Sequence, residues 1–261
     1  TYGNGRFVAV GRSGDDLVMY SDDGVEWETT SAAGDNDNWR SVTYGNGRFV
    51  AVGDSGGDDV VMYSEDGIDW IPVSAVGDND FWEDVTYGGS QFVAIGATYS
   101  GSDDLVMTSV DGITWSSGSI PSENWATVTY GNGRYVALGI IGAYSDDGIN
   151  WSTTTIAGDN DVWKDLTYAN GLYVGVADSS WDQEAFAYSK DGVIWNTAVA
   201  ADNDDRWDGV TYGQGRFVAV SFSGDPVMYT DAGFGEDTPI TLFVDANATT
   251  SSSTATTLTY G

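Results

Sequence analysis

Residues 39–70 read WRSVTYGNGRFVAVGDSGGDDVVMYSEDGIDW. Four short runs rich in β-branched and aromatic residues stand out: 40–44, 49–52, 60–64, and a fourth beginning near Ile68 and Trp70. Between them lie Gly45-Asn46-Gly47, an acidic Gly-rich loop over 54–59, and Glu65-Asp66-Gly67. Asn-Gly and Asp-Gly between such runs are hairpin signals, because both turn residues tolerate positive φ. No segment sustains an apolar period of 3.6 residues, so the chain is expected to be all-β with essentially no helix.

The same unit recurs along the whole chain. The Tyr of a Thr-Tyr-Gly tripeptide stands at Tyr2, Tyr44, Tyr87, Tyr130, Tyr168, Tyr212 and Tyr260, in steps of 42, 43, 43, 38, 44 and 48 residues. Four antiparallel strands in a unit of this length describe a propeller blade. A wound β-helix has shorter coils and lacks the four-strand meander. The expected fold is therefore a six-bladed β-propeller with four antiparallel strands per blade. Blades are expected over 1–34 plus 254–261, 35–77, 78–119, 120–157, 158–201 and 202–253. The tail 254–260 matches the first-strand segment that the opening unit lacks, so closure by the C-terminal strand in blade one is expected. The second runs, such as Phe7-Val8-Ala9-Val10, lack polar alternation and suit a strand covered on both faces.

Composition narrows the function classes. The 261 residues include 40 Asp or Glu, 9 Lys or Arg, no His and no Cys, for a net charge of -31. No disulfide, thiolate or imidazole chemistry is available, and an acidic surface repels nucleic acid. No apolar run approaches the roughly 18 residues of a membrane-spanning helix, so no membrane insertion is expected. The charge suits a salty medium, where screening relieves repulsion. No signal-peptide pattern opens the chain, and its first residue is Thr, which suggests a processed or trimmed product.

A sharper motif sits in the turn between third and fourth runs. It reads Ser21, Asp23, Gly24, Trp27, then Ser64, Asp66, Trp70, then Ser109, Asp111, Trp115. Further copies are Ser145, Asp147, Trp151 and Ser189, Asp191, Trp195, and a degenerate sixth copy at 230–233 has no Trp. This resembles the Asp-box of the BNR-repeat, sialidase-like propellers, one residue shorter between Asp and Trp than the commonest form. The resemblance implies a structural role: Asp accepting turn N–H groups, Gly supplying positive φ, and Trp packing between blades. Sialidases in that family need an arginine cluster and a Tyr nucleophile paired with Glu. The repeated turn arginines Arg6, Arg48, Arg134 and Arg216 do not form one, which leaves Arg40 and Arg206 as candidates beside the loops.

The loops between units carry most of the acid. Asp35-Asn36-Asp37, Asp78-Asn79-Asp80, Asp159-Asn160-Asp161 and Asp202-Asn203-Asp204 offer the oxygen ligands that calcium takes. The competing reading is Asx-turn capping before the Trp that follows, with solvation of the carboxylates. No cofactor is required by any motif. Aromatics that break the repeat, Phe81, Tyr99, Trp181 and Phe234, are the ligand-binding candidates. The expected role is non-catalytic binding of a glycan or protein partner by a monomer in an extracellular, cell-surface or virion setting. The alternatives are a sialidase-like glycoside hydrolase and a structural scaffold without a small ligand.

Overall fold

A computed structural model describes residues 1–12, 17–34, 38–54, 60–77, 81–97, 105–156, 162–178, 185–198, 206–221, 227–230, 241–245 and 253–257. Among them every regular element is a strand. The chain falls into two compact units, Thr1–Ala137 with Tyr144–Ser152, and Leu138–Ala143 with Thr153–Gly261.

Six antiparallel sheets follow one another along the sequence. The first holds β1 (Tyr2–Gly3), β2 (Arg6–Val10), β3 (Val18–Ser21) and β4 (Glu28–Thr30), in chain order. The second holds β5 (Trp39–Gly45), β6 (Arg48–Gly53), β7 (Val61–Ser64) and β8 (Ile71–Val73). The third holds β9 (Trp82–Gly88), β10 (Gln91–Gly96), β11 (Val106–Ser109) and β12 (Ser116–Ser117). The fourth holds β13 (Thr127–Gly131), β14 (Arg134–Leu138), β15 (Gly142–Ser145) and β16 (Ser152–Thr154). The fifth holds β17 (Val162–Ala169), β18 (Leu172–Asp178), β19 (Phe186–Ser189) and β20 (Asn196–Ala198). The sixth has five strands: β21 (Trp207–Gly213), β22 (Arg216–Ser221), β23 (Val227–Thr230), β24 (Thr241–Asp245) and β25 (Ser253–Thr257).

The opening hairpin of each sheet shows why the repeat folds this way. In the second sheet Asn46 and Gly47 take φ of 47° and 79°, the torsions of the turn that matches strand twist. The turn sets the register Tyr44↔Phe49, and those rings pack 4.7 Å apart in a tilted pair. Such a pair adds about 1 kcal/mol to simple burial. A bulge between Trp39 and Ser41 re-aims the strand start, and Trp39, Trp82, Trp125, Trp163 and Trp207 are all at most 2% exposed.

Within the first unit, neighbouring sheets meet through a repeated joint. The Tyr of one Thr-Tyr-Gly lies flat on the Gly of the preceding one. A Cβ built on Gly3, Gly45 or Gly88 would stand 2.0, 2.0 or 2.1 Å from the Cγ of Tyr44, Tyr87 or Tyr130. Below these joints Val50, Val52, Trp82, Phe92 and Met107 share one core cluster. In the second unit Val174, Phe186, Trp207, Phe217 and Met228 form another.

The expected closure is corrected. β25 does not pair in the first sheet; it pairs with β24, from Thr241↔Thr257 to Asp245↔Ser253, as a fifth strand of the sixth sheet. The first-strand place in the first sheet belongs to the N-terminal residues. Tyr2 pairs with Phe7 and Gly3 with Arg6, while Thr1 and Val8 exchange both backbone bonds, at 2.8 and 3.0 Å. With that edge of β2 occupied, the tail folds back on the strand nearest to it in sequence.

Gly45→Ala is expected to lower unfolding stability by about 3 kcal/mol, because the new methyl overlaps the Tyr87 ring. Gly213→Ala, with nothing within 4 Å of its Cβ, should stay within about 0.5 kcal/mol of the parent. Urea unfolding of the two variants checks the contrast.

Candidate functional site

The Ser-x-Asp-Gly turns are built alike in five sheets. In the first, the Ser21 hydroxyl accepts the Gly24 N–H at 2.8 Å, and Asp23 Oδ1 accepts Val25 N–H at 2.8 Å and Glu26 N–H at 2.9 Å. Asp66, Asp111, Asp147 and Asp191 each take the matching two N–H groups at 2.8–2.9 Å. Every one of these carboxyls is held below the ordinary Asp range. The N–H of Glu26, Thr114 or Asn150 is the leading cause at Asp23, Asp111 and Asp147. At Asp66 and Asp191 burial pushes upward with the largest single effect, and the accepted N–H bonds together outweigh it.

The turn Trp residues close over these loops. Trp115, Trp151 and Trp195 are buried, and Trp151 and Trp195 donate from Nε1 to the carbonyls of Gly148 and Gly192 at 3.1 and 3.3 Å. Trp70 is half-buried, whereas Trp27 is exposed.

The turn arginines fasten one sheet to the next. Arg6 donates to Asp22 of its own sheet at 2.7 Å and to the Asp66 carbonyl of the following sheet at 2.8 Å. Arg48 reaches Glu65 and the Asp111 carbonyl in the same way, and Gln91 reaches the Asp147 carbonyl. Arg6, Arg48, Arg134 and Arg216 also lie over the rings of Tyr20, Tyr63, Tyr144 and Tyr229, a cation–π contact that further fixes each guanidinium.

Arg40 and Arg206 are each bound to a carboxylate. Arg40 pairs with Asp54, which also takes the Asn38 amide, and lies 3.5 Å from Glu83. Arg206 holds Asp178 with two bonds of 2.9 and 2.6 Å. Those bonds are the main reason the Asp178 carboxyl titrates low. Phe81 bridges to Asp54, and its carbonyl accepts Ala97 N–H at 3.0 Å. Tyr99, Trp181 and Phe234 lie outside the described residues, as do Asp35, Asn36, Asp37, Asp78, Asn79, Asp80, Asp159, Asn160, Asp161, Asp202, Asn203 and Asp204. Among the described residues no group of three or more acidic side chains could hold a metal ion.

The sequence reading missed one set of residues. Two positions after the first-strand Trp stand Ser41, Asp84, Thr127 and Asp165, all with acceptor oxygens. Asp84 accepts Ser41 Oγ at 2.6 Å from the preceding sheet, and Thr127 Oγ1 at 3.1 Å and Val128 N–H at 2.8 Å from the following one. In the second unit Asp165 accepts Val210 N–H at 2.7 Å. These carboxylates cap first-strand N–H groups that no strand pairs. The Trp-x-[Ser/Asp/Thr] spacing was the available signal. Burial pushes the Asp165 carboxyl up, partly offset by Val210 and Leu166 N–H. Burial likewise pushes the Tyr135 phenol up to about 12, and its hydroxyl donates to the Gly88 carbonyl.

No family model matches the chain. No curated protein matches its sequence. Solved structures do match. A streptogramin B lyase structure aligns at TM-score 0.67 and 11% identity, over 79% of this chain and 70% of that one. A nidogen/laminin complex aligns at TM-score 0.64 and 10% identity, over 87% and 89%. The YCF48 protein bound to a D1 peptide aligns at TM-score 0.61 and 13% identity, over 90% and 83%. These likenesses show the fold: the chain is a six-bladed β-propeller. No helix among the described residues is long and apolar enough to cross a membrane.

The turn carboxyls and the buried Asp165 give opposite pH behaviour. The turn carboxyls titrate lower folded than unfolded, so their contribution is present above about pH 4 and is lost as pH falls through the depressed folded values. Asp165 titrates higher folded, so its contribution is present below about pH 4 and is lost as pH rises through the raised value. Melting curves from pH 7 to pH 4 should therefore show the parent gaining stability relative to Asp165→Asn. Over that range the parent should keep its advantage over Asp111→Ala, about 1 kcal/mol, and lose it only when the pH is taken below about 4.

Proposed function

We propose that the chain is a structural propeller of the Asp-box kind, a scaffold whose described polar side chains serve the fold and not a small ligand. The observation that carries this reading is the occupation of the reactive residues. Arg6, Arg48, Arg40 and Arg206 are held by carboxylates or turn carbonyls, and the turn Asp residues by N–H groups. The same arrangement recurs from sheet to sheet, whereas a catalytic pocket needs one place that departs from it. The Ser-x-Asp-Gly geometry supports membership of the Asp-box propellers. The excess of 40 acids over 9 bases suits an extracellular or surface setting at high salt.

A second reading is non-catalytic binding of a polypeptide. The YCF48 structure is titled as bound to a D1 peptide and the nidogen structure as a complex with laminin, so propellers of this fold hold polypeptide partners. The similarity to a streptogramin B lyase keeps an enzyme among the outcomes to be tested.

A glycan array probed with and without calcium, a melt with and without EDTA, and an aryl-sialoside hydrolysis assay test the scaffold reading together. The expected result is no retained glycan, an unchanged midpoint and no hydrolysis. A retained glycan, or a midpoint that falls with EDTA, overturns the scaffold reading in favour of a binding module. Turnover makes the protein an enzyme.

A further inference from the structure

Residues 1–11 and 43–53 read identically, TYGNGRFVAVG. Both place an Asn-Gly pair in the turn between the first two strands of a sheet. Asn4 and Gly5 take φ of 49° and 81°, and Asn46 and Gly47 take 47° and 79°. All of these residues are exposed, and nothing lies within 4 Å of a Cβ built on either glycine. Sequence, backbone and exposure are therefore matched, and only the surrounding fold can make the two asparagines behave differently.

The difference lies at the side-chain amide. Asn46 Nδ2 donates to the Val110 carbonyl of the following sheet at 3.0 Å, which ties the carboxamide to that sheet. Asn4 has no such bond among the described residues. The hairpin that Asn4 closes is also shorter: β1 is Tyr2–Gly3 alone, whereas β5 runs Trp39–Gly45. The Asp-Gly pairs of the Ser-x-Asp-Gly turns are locked more fully. There the Gly N–H is donated to the Ser hydroxyl at 2.8–2.9 Å in all five copies. The carboxylate meanwhile holds the two N–H groups that follow.

We propose that Asn4 is a site of spontaneous covalent modification, deamidation through a succinimide, and that the neighbouring sheet protects Asn46 from it. A glycine after asparagine favours the reaction because no Cβ obstructs its nitrogen. That nitrogen, its proton passed to a solvent base, attacks Asn4 Cγ. The N–Cγ bond forms, the Cγ–Nδ2 bond breaks, and Nδ2 leaves as ammonia with a proton from water. Water then opens the succinimide at either carbonyl, leaving an aspartyl or isoaspartyl residue and a new carboxylate. The isoaspartyl form carries an extra backbone methylene shortly before Arg6, which fastens the first sheet to the Asp66 carbonyl of the second.

Incubation of the full chain in mildly alkaline buffer, folded and in urea, tests the proposal. Trypsin cuts after Arg6, Arg40 and Arg48 and releases residues 1–6 and 41–48 as distinct peptides, so each asparagine is followed by mass. In the folded chain Asn4 is expected to convert about tenfold faster than Asn46, which must first break its bond to Val110 and open a longer hairpin. In urea the two should convert at the same rate, because the local sequence is the same. An isoaspartyl-specific carboxyl methyltransferase should label the 1–6 peptide of the aged folded chain, and the label should vanish in Asn4→Gln. That variant keeps the turn, since Gln214 takes φ of 53° at the matching place in the sixth sheet. Equal rates in the folded chain, faster conversion at Asn46 or an unconverted Asn4 overturns the proposal. So does a rate difference that persists in urea, which would assign it to something other than the fold.

Discussion

The fold depends on the seating of a tyrosine ring against a glycine of the neighbouring sheet. One four-stranded sheet of this protein cannot cover its own two faces. Its second strand is apolar on both sides, as Val50, Ala51 and Val52 show by their complete burial, so each sheet is stable only against a neighbour. Gly3, Gly45 and Gly88 let the strands approach closely enough for Tyr44, Tyr87 and Tyr130 to lie where a Cβ would otherwise be. The Phe and Met side chains beneath then pack at interior density.

The polar residues organise around that packing. A sheet that lies against another must satisfy first-strand N–H groups that have no strand partner, and buried donors left unsatisfied are costly. Asp84 meets this need by accepting bonds from both flanking sheets, and in the second unit Asp165 meets it by accepting the Val210 N–H of the following sheet. Arg6 and Arg48 do the same for turn carbonyls. Among the described residues Arg6, Arg48, Asp84 and Asp165 therefore act as connectors between sheets.

Much of this was legible in the sequence, because the signals are local. The φ values of Asn46 and Gly47 follow from Asn-Gly. The bonds made by Asp66 follow from its place two residues after Ser64 and before the N–H groups of Ile68 and Asp69. The resemblance to Asp-box turns rested on such spacing, and the turn geometry agrees with it. The first-strand acceptors were harder to see. Ser41 and Asp84 differ in type, and their shared role appears only when the next sheet supplies its N–H. Arg40 and Arg206 were singled out for their position, but their carboxylate partners, Asp54 and Asp178, lie 14 and 28 residues away.

The sequence by itself determined the strand runs, the turn types and the six-fold recurrence, since each depends on residues within a few positions of one another. Only the tertiary structure decided which strands the N-terminal residues and the C-terminal strand β25 would pair with. Thr1, Tyr2 and Gly3 sit next to β2 in the chain and close a short loop onto it. For the C-terminal segment the near partner is β24, reached by a short connection, whereas the first sheet lies most of the chain length away and its edge is filled. Loop-closure entropy and an occupied edge chose between pairings that local sequence makes equivalent.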